Sequence, residues 1–326
     1  MRVTRLGRLW HVAVALLFLQ LGIVDRAPAQ NQFSAIVTFG TSLSDSGNAF
    51  ALIKTNATPQ DFTLDEFLIP SAPYAKGGHH LTNGSTWVEQ LAQALRVTAS
   101  ANAAFANQGS SAMNYAVAGA RAREDGSLNI NLPTQVGAFL QDVGGIAPSD
   151  ALYVIEMGSN DVRDALTAIG SGGNPLPIIG GAIQAIGDAI TALYAAGARH
   201  FLVLNVPPIA VTPAIRIANS VAPGTALAVG QLTQVFNAQL ASMLAAKAAL
   251  PGITIVPFDV YSLILGVVAD PQAYALSNVT DACLTPFVPP FTCQNPNDYL
   301  FWDGIHPTTI VHGILADQAG AALTAP

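Results

Sequence analysis

Four short polar stretches hold the side chains that could do chemistry. They are Gly40–Asn48 (GTSLSDSGN), Gly119, Gly158–Asp161 (GSND) and Asp303–Pro307 (DGIHP). Between them they supply a hydroxyl nucleophile, two or three hydrogen-bond donors, a base and an orienting carboxylate. That set is what acyl transfer through a serine requires. Asp303 and His306 are three positions apart. On a tight turn or a first helical turn, that spacing lets a carboxylate meet its imidazole, fix the tautomer and steady the imidazolium that forms. Ser159 is a rival serine, but no base lies near it in the sequence. Asp45 and Asn48 fit two roles: braces for the turn around Ser42, or plain Asx-turn residues. His79 and His80 lack a third ligand at metal-site spacing and read as solvated loop residues. His312 reads as a residue on the surface of a helix.

Three of these stretches follow apolar runs that read as strands. Ser34–Phe39 ends at Gly40, Asn114–Gly119 ends the second run, and Ala151–Met157 ends at Gly158. Two further strands are expected at His200–Asn205, halted by Pro207 and Pro208, and at Ile253–Phe258. Helical patterning covers 86–96, 179–196 with Gly197 as its stop, 224–249 and 308–322. Residues 56–85 and 271–299 are Pro-rich and polar and read as long loops, expected to border an acyl pocket with Phe62, Phe67, Leu68, Phe287 and Phe291. Strands alternating with helices predict a parallel sheet covered on both faces. The expected architecture is a three-layer α/β/α flavodoxin-like sandwich with about five parallel strands, in a single domain over 30–326. Ligands on such sheets gather at the carboxyl ends of the strands, where these polar stretches fall.

The same residues carry a resemblance. The chain resembles the GDSL-type esterases and lipases, the SGNH hydrolases, from Phe39 to about Ala316. The blocks are Phe39–Asn48, Asn114–Ala120, Gly158–Asp161 and Phe301–Thr308, in the family's order, with lesser matches at Asn83–Val88 and Asn205–Pro208. The resemblance implies that Ser42 is the nucleophile, His306 the base and Asp303 its orienting partner. It implies an oxyanion hole made of the Ser42 N–H, the Gly119 N–H and the Asn160 side chain. Glycine at 119 would let the backbone approach the tetrahedral intermediate. The implied activity is ester hydrolysis through an acyl-serine, with neither metal nor organic cofactor, on a lipid-like or other small ester. Acyl transfer to an alcohol and polysaccharide deacetylation are the alternatives within the family. One residue departs from the signature: Thr41 stands where aspartate is usual. A catalytically weak, binding-only relative is therefore a third reading.

Composition excludes other classes. Of 326 residues 51% are hydrophobic and only 10% charged, which rules out intrinsic disorder. Residues 1–29 read as a secretory signal peptide: Arg2, Arg5 and Arg8, then an apolar run from Val12 to Val24, then Ala27-Pro28-Ala29. Its apolar run is shorter than the ~20 residues a membrane helix needs, so no stable span is expected after cleavage. Removal takes Arg2, Arg5, Arg8, Arg26 and Asp25, leaving 9 basic and 19 acidic residues, a net charge of −10. Such a surface repels nucleic acid and is a poor partner for anionic membranes, and the signal peptide implies a secreted or periplasmic protein. In that oxidising setting Cys283 and Cys293 are expected to form a disulfide. No Gly-x-Ser-x-Gly elbow, P-loop or His-Glu-x-x-His motif occurs.

Overall fold

Short apolar runs become the strands of one parallel sheet. The computed structural model describes residues 32–53, 64–74, 79–286 and 288–325. The expected signal segment 1–29, Phe62 and Phe287 lie outside the described residues. The strands are β1 (Ile36–Gly40), β2 (Leu152–Glu156), β3 (His200–Leu204) and β4 (Thr254–Phe258), in the spatial order β1-β2-β3-β4. Every pair is parallel, with Ile36 beside Leu152, Leu152 beside His200 and His200 beside Thr254. Every residue of β1 and β2 is buried, as a parallel sheet covered on both faces demands. β4 is the edge. It is half-exposed and carries Pro257, which lacks the N–H that a further strand would need.

The second expected strand, Asn114–Gly119, is present only in part. It runs parallel beside β1, with Thr38 N–H donating to Met113 O (3.0 Å) and Tyr115 and Val117 N–H donating to Thr38 O (2.8 Å) and Gly40 O (3.1 Å). It makes an isolated bridge to Thr38 rather than a full strand. The reason is local. The Asn114 side chain accepts the Ala116 N–H, and the Asn114 and Ala116 carbonyls are both taken by the Asn48 amide. Such bonds compete with a ladder. In chain order the sheet reads 2-1-3-4-5 once this segment is counted, the order of flavodoxin-like folds.

Helices cover both faces. After α1 (Asn48–Ile53) and α2 (Trp87–Ala94) come α3 (Leu132–Asp142), α4 (Ser159–Gly170), α5 (Leu176–Ala196), α6 (Pro213–Val221) and α7 (Thr225–Lys247). Then follow α8 (Val260–Ala269) and α9 (Thr309–Thr324). Residues of α3, α4, α5 and α7 share one core with Phe39, Tyr153 and Phe201; those of α2, α8 and α9 share another with Ile36, Val154 and Leu202. α5 is long and apolar enough to cross a membrane by length and composition. Its Ile179, Ile186, Ile190 and Leu193 are instead buried in the first core.

The expected loop 271–299 contains order the sequence did not suggest. β5 (Asn278–Ala282) pairs in parallel with β6 (Tyr299–Phe301) as a second, two-stranded sheet. Cys283 and Cys293 are disulfide-bonded and join a satellite cluster with Leu64, Tyr74, Leu284 and Trp302.

Two histidine readings need correction. His312 is buried, not on the surface, because α9 packs on α2. Its Nδ1 accepts the Trp87 N–H at 3.1 Å, one of the donors that the first turn of α2 leaves unpaired. Burial pushes its pKa down to about 3, so the ring is neutral. His80 is also buried, with Nε2 3.0 Å from Glu89 Oε2. Glu89 caps α2 as well, accepting the Thr86 N–H and hydroxyl at 2.8 Å each.

Candidate active site

Three loops at the carboxyl ends of the strands and the turn before α9 converge on one cleft. β1 ends at Gly40, and the Ser44 N–H donates to Thr41 O at 3.1 Å to close a turn with Ser42 near its tip. The turn is anchored from inside. Asp45 Oδ1 accepts the Gly47 and Asn48 N–H groups (2.8 and 2.6 Å), and Oδ2 accepts those of Ala49 and Ala118 (3.0 and 2.9 Å). Burial raises the Asp45 pKa, opposed by these backbone bonds. Asn48 donates to Asn114 O (2.7 Å) and Ala116 O (2.9 Å). Both residues thus tie the Ser42 turn to the segment that carries Gly119.

His306 and Asp303 lie between β6 and α9. His306 Nε2 is 2.9 Å from Ser42 Oγ, and its Nδ1 is 2.7 Å from Asp303 Oδ2. Asp303 Oδ1 accepts the backbone N–H groups of Ile305 (2.9 Å) and His306 (2.8 Å). The Tyr74 hydroxyl donates to Oδ2 at 2.8 Å. Burial first, and then Asp303, push the Tyr74 phenol pKa up, so it stays a donor. Asp303 is wholly buried and His306 nearly so.

Gly119 and Asn160 complete the rim. Gly119 has φ +82°, and a Cβ there would meet nothing within 4 Å, so its backbone faces open space. The N–H groups of Ser42 and Gly119 donate to no acceptor among the described residues. Asn160 stands in the first turn of α4. One proton of its Nδ2 goes to Ala120 O at 2.8 Å, which leaves the other for a ligand. Next to it, buried Asp161 accepts the Ala122 N–H at 2.8 Å and so docks the Gly119 loop on α4. Burial raises its pKa to about 6, against the pull of the Ala122 bond and Arg123. Ser42, Gly119, Asn160 and His306 line one cleft. The Ser159 hydroxyl is buried and bonded to nothing among the described residues.

A pocket of about 90 Å³ opens beside Ser42 and His306, walled by apolar side chains such as Pro208, Ile209, Val260, Ile264 and Phe301. Loop 205–212 and α8 supply much of that wall, and the sequence reading did not place them there. Of the aromatic and aliphatic loop residues expected at the pocket, Phe67 lines an adjoining cleft with Arg163. Leu68 and Phe291 pack into the disulfide cluster instead. Arg163 borders both the pocket and the cleft. Burial and then Arg121 hold its guanidinium pKa below the usual value.

Sequence reasoning missed two residues. Glu156 receives the Thr41 N–H and hydroxyl, and Tyr74 meets Asp303. A charged residue closing an apolar strand was the one available signal for Glu156. Nothing marked Tyr74, whose partner is 229 positions away.

Residues 36–319 match the family described as GDSL-like lipase/acylhydrolase. A GDSL esterase/lipase of Arabidopsis thaliana is 31% identical over 184 residues, 55% of this chain and 52% of that protein. The chain thus spans about half the length of that relative. A phosphatidylcholine-sterol acyltransferase of Aeromonas hydrophila is 26% identical over 349 residues, 94% of this chain and 95% of that protein. Among solved structures, an extracellular lipase of Streptomyces rimosus aligns with TM-score 0.40 and 18% identity, covering 88% of this chain and 99% of that one.

Proposed function

The chain belongs to the GDSL-like lipase/acylhydrolase family, and on that footing we propose that it hydrolyses carboxylic esters through an acyl-Ser42 intermediate. One observation carries the reading: Ser42 Oγ, His306 and Asp303 form a continuous chain of 2.9 and 2.7 Å contacts at the mouth of an apolar pocket. In this mechanism His306 Nε2 takes the Ser42 proton as Oγ bonds to the ester carbonyl carbon. The carbonyl oxygen becomes an oxyanion and receives the N–H groups of Ser42 and Gly119 and the free proton of Asn160 Nδ2. Asp303 keeps His306 Nδ1 protonated, so that Nε2 is the basic nitrogen, and it offsets the imidazolium charge. The C–O bond to the alcohol then breaks, and the leaving oxygen takes the proton from Nε2. Water repeats the sequence on the acyl-serine, with His306 again as base, and releases the acid.

The pocket wall suits an apolar acyl group, because few polar groups there would lose water on binding. The test is turnover of p-nitrophenyl esters from acetate to palmitate by wild type and Ser42→Ala. Turnover abolished by the substitution supports the nucleophile, and the chain-length profile sets the acyl preference. Activity retained in Ser42→Ala would overturn the assignment.

Acyl transfer to an alcohol is the second reading, favoured by the near full-length similarity to the Aeromonas acyltransferase. Product analysis with added alcohol or sterol separates it from hydrolysis. A binding-only protein is a third, and labelling of Ser42 by an organophosphonate would exclude it. We also read residues 1–29 as a cleaved secretory signal ahead of one domain over 30–326. The disulfide supports export, since cytosolic thiols are kept reduced. N-terminal sequencing of the exported protein tests this, with cleavage expected near Ala29.

A further inference from the structure

Beneath the turn that carries Ser42 lies a carboxyl group with no cationic partner among the described residues. Glu156 closes β2 after Leu152, Tyr153, Val154 and Ile155, and it is 3% exposed. Its oxygens face hydrogen-bond donors instead. Oε2 accepts the Thr41 N–H at 3.0 Å, the Thr41 hydroxyl at 2.9 Å and the Ser44 hydroxyl at 3.2 Å, and Oε1 lies 3.1 Å from the Thr41 hydroxyl. Trp87 Nε1–H donates to Ser44 Oγ at 3.0 Å and steers that hydroxyl proton toward the carboxyl. Thr41 and Ser44 are the two ends of the turn around Ser42. One side chain therefore holds both ends. The fit is close: a Cβ at Gly40 would lie 3.2 Å from Glu156 Oε2 and 3.0 Å from Ser44 Cβ.

We propose that Glu156 is the positioning residue of the nucleophile turn, and that it makes threonine rather than aspartate the residue position 41 requires. The proposal rests on the acyl-Ser42 reading. Glu156 never touches the ester. It acts through Thr41 and Ser44, keeping Ser42 Oγ in line with His306 Nε2. The grip needs a donor at 41, and the threonine hydroxyl is one. Above about pH 7, where Glu156 is ionised, an aspartate would offer only acceptors and would set a second carboxylate against it, with no cation beside them among the described residues. Two carboxylates so placed cannot both ionise without strong repulsion. The aspartate usual in the resembled signature is therefore expected to harm this enzyme. Glutamine at 156 would reverse that, because its amide can donate to an aspartate at 41 while its oxygen still accepts the backbone N–H.

The experiment compares wild type, Ser42→Ala, Thr41→Ser, Thr41→Val, Thr41→Asp and the double variant Thr41→Asp/Glu156→Gln on p-nitrophenyl butyrate at about pH 8, above the Glu156 pKa of about 7, with thermal melting of each. Thr41→Val and Thr41→Asp should lower kcat roughly tenfold or more, the scale of one lost buried hydrogen bond in a tuned geometry, with KM changed less than about twofold. Thr41→Ser should stay near wild type. The double variant should recover most of what Thr41→Asp loses, and the rate of Ser42 phosphonylation should follow the same order. A merely structural contact would lower the melting temperature of Thr41→Val without moving kcat, and that result overturns the proposal. So does a Thr41→Asp enzyme as fast as wild type, or a double variant no faster than Thr41→Asp. Ser42→Ala keeps the readings apart. If it retains turnover, the acyl-Ser42 reading falls and this proposal with it. If it is inactive while the Thr41 variants are unimpaired, only this proposal falls.

Discussion

Asp303 has its acceptor sites divided between two tasks. Oδ1 takes the N–H groups of Ile305 and His306, which fix the carboxylate's rotamer, and Oδ2 takes His306 Nδ1 and the Tyr74 hydroxyl. Because Oδ1 alone sets the orientation, Tyr74→Phe should leave kcat within about threefold of wild type. It should still lower unfolding free energy by about 1–3 kcal/mol, the cost of a buried acceptor losing a donor. Urea titration and initial rates measure the two effects on one sample, and a large kcat loss at unchanged stability would contradict this division. Asn160 is the opposite case. Its proposed partner is an oxyanion that exists only in the transition state, so Asn160→Ala should lower kcat on the order of 10²-fold and leave KM nearly unchanged. A rise in KM at constant kcat would place Asn160 in ground-state binding instead.

The turn that carries Asp303 and His306 hangs from the small second sheet. β6 ends at Phe301, the Cys283 and Leu284 N–H groups donate to Phe301 O and Trp302 O, and the disulfide closes the loop between positions 283 and 293. A crosslink over ten positions restricts the unfolded chain by roughly 2–3 kcal/mol on the loop-entropy scale. Cys283→Ala/Cys293→Ala should lose about that much stability and melt several degrees lower. Its kcat at low temperature should hold, since the triad contacts do not pass through the sulfurs. Denaturant and thermal melts with matched kinetics check this. These elements also show what the sequence could carry. The four strands were legible as short β-branched runs, α2 and α5 as periodic apolar faces, and α7 as a long Ala-, Leu- and Gln-rich run of helix formers. α8 was not, because VYSLILGVVA is apolar almost throughout and has no readable period. β5 was hidden because NVTDA has the composition of a loop, and β6 because YLF is only three residues long. The site residues stood out because they sit in short local blocks. Glu156 and Tyr74 did not, because their contacts join positions 115 and 229 residues apart.

At the scale of the molecule, the site lies where the strand order of the sheet reverses. β1 and β2 are neighbours whose outgoing loops part, one to Ser42 and the other to Asn160, and such a switch point is where doubly wound sheets leave a crevice. Here that crevice is built on carboxyl groups held away from water. That has a cost that depends on pH. Burial lifts the Glu156 pKa from 4.5 to about 7, even though the Thr41 and Ser44 bonds pull it down. Between those two values the folded protein keeps a proton that the unfolded chain has released, so stability falls as pH rises. Below about 4.5 both states are protonated and the contribution is whole; above about 7 both are ionised and it is gone. The interval corresponds to on the order of 3 kcal/mol. Asp161, lifted to about 6, acts in the same direction. The Glu156→Gln variant isolates the first group, because its amide does not titrate. Wild-type unfolding free energy minus that of the variant should decline from about pH 4.5 to about pH 8 and then level off. A difference that is flat across that range would mean that Glu156 ionises in the folded protein as it does in the unfolded chain.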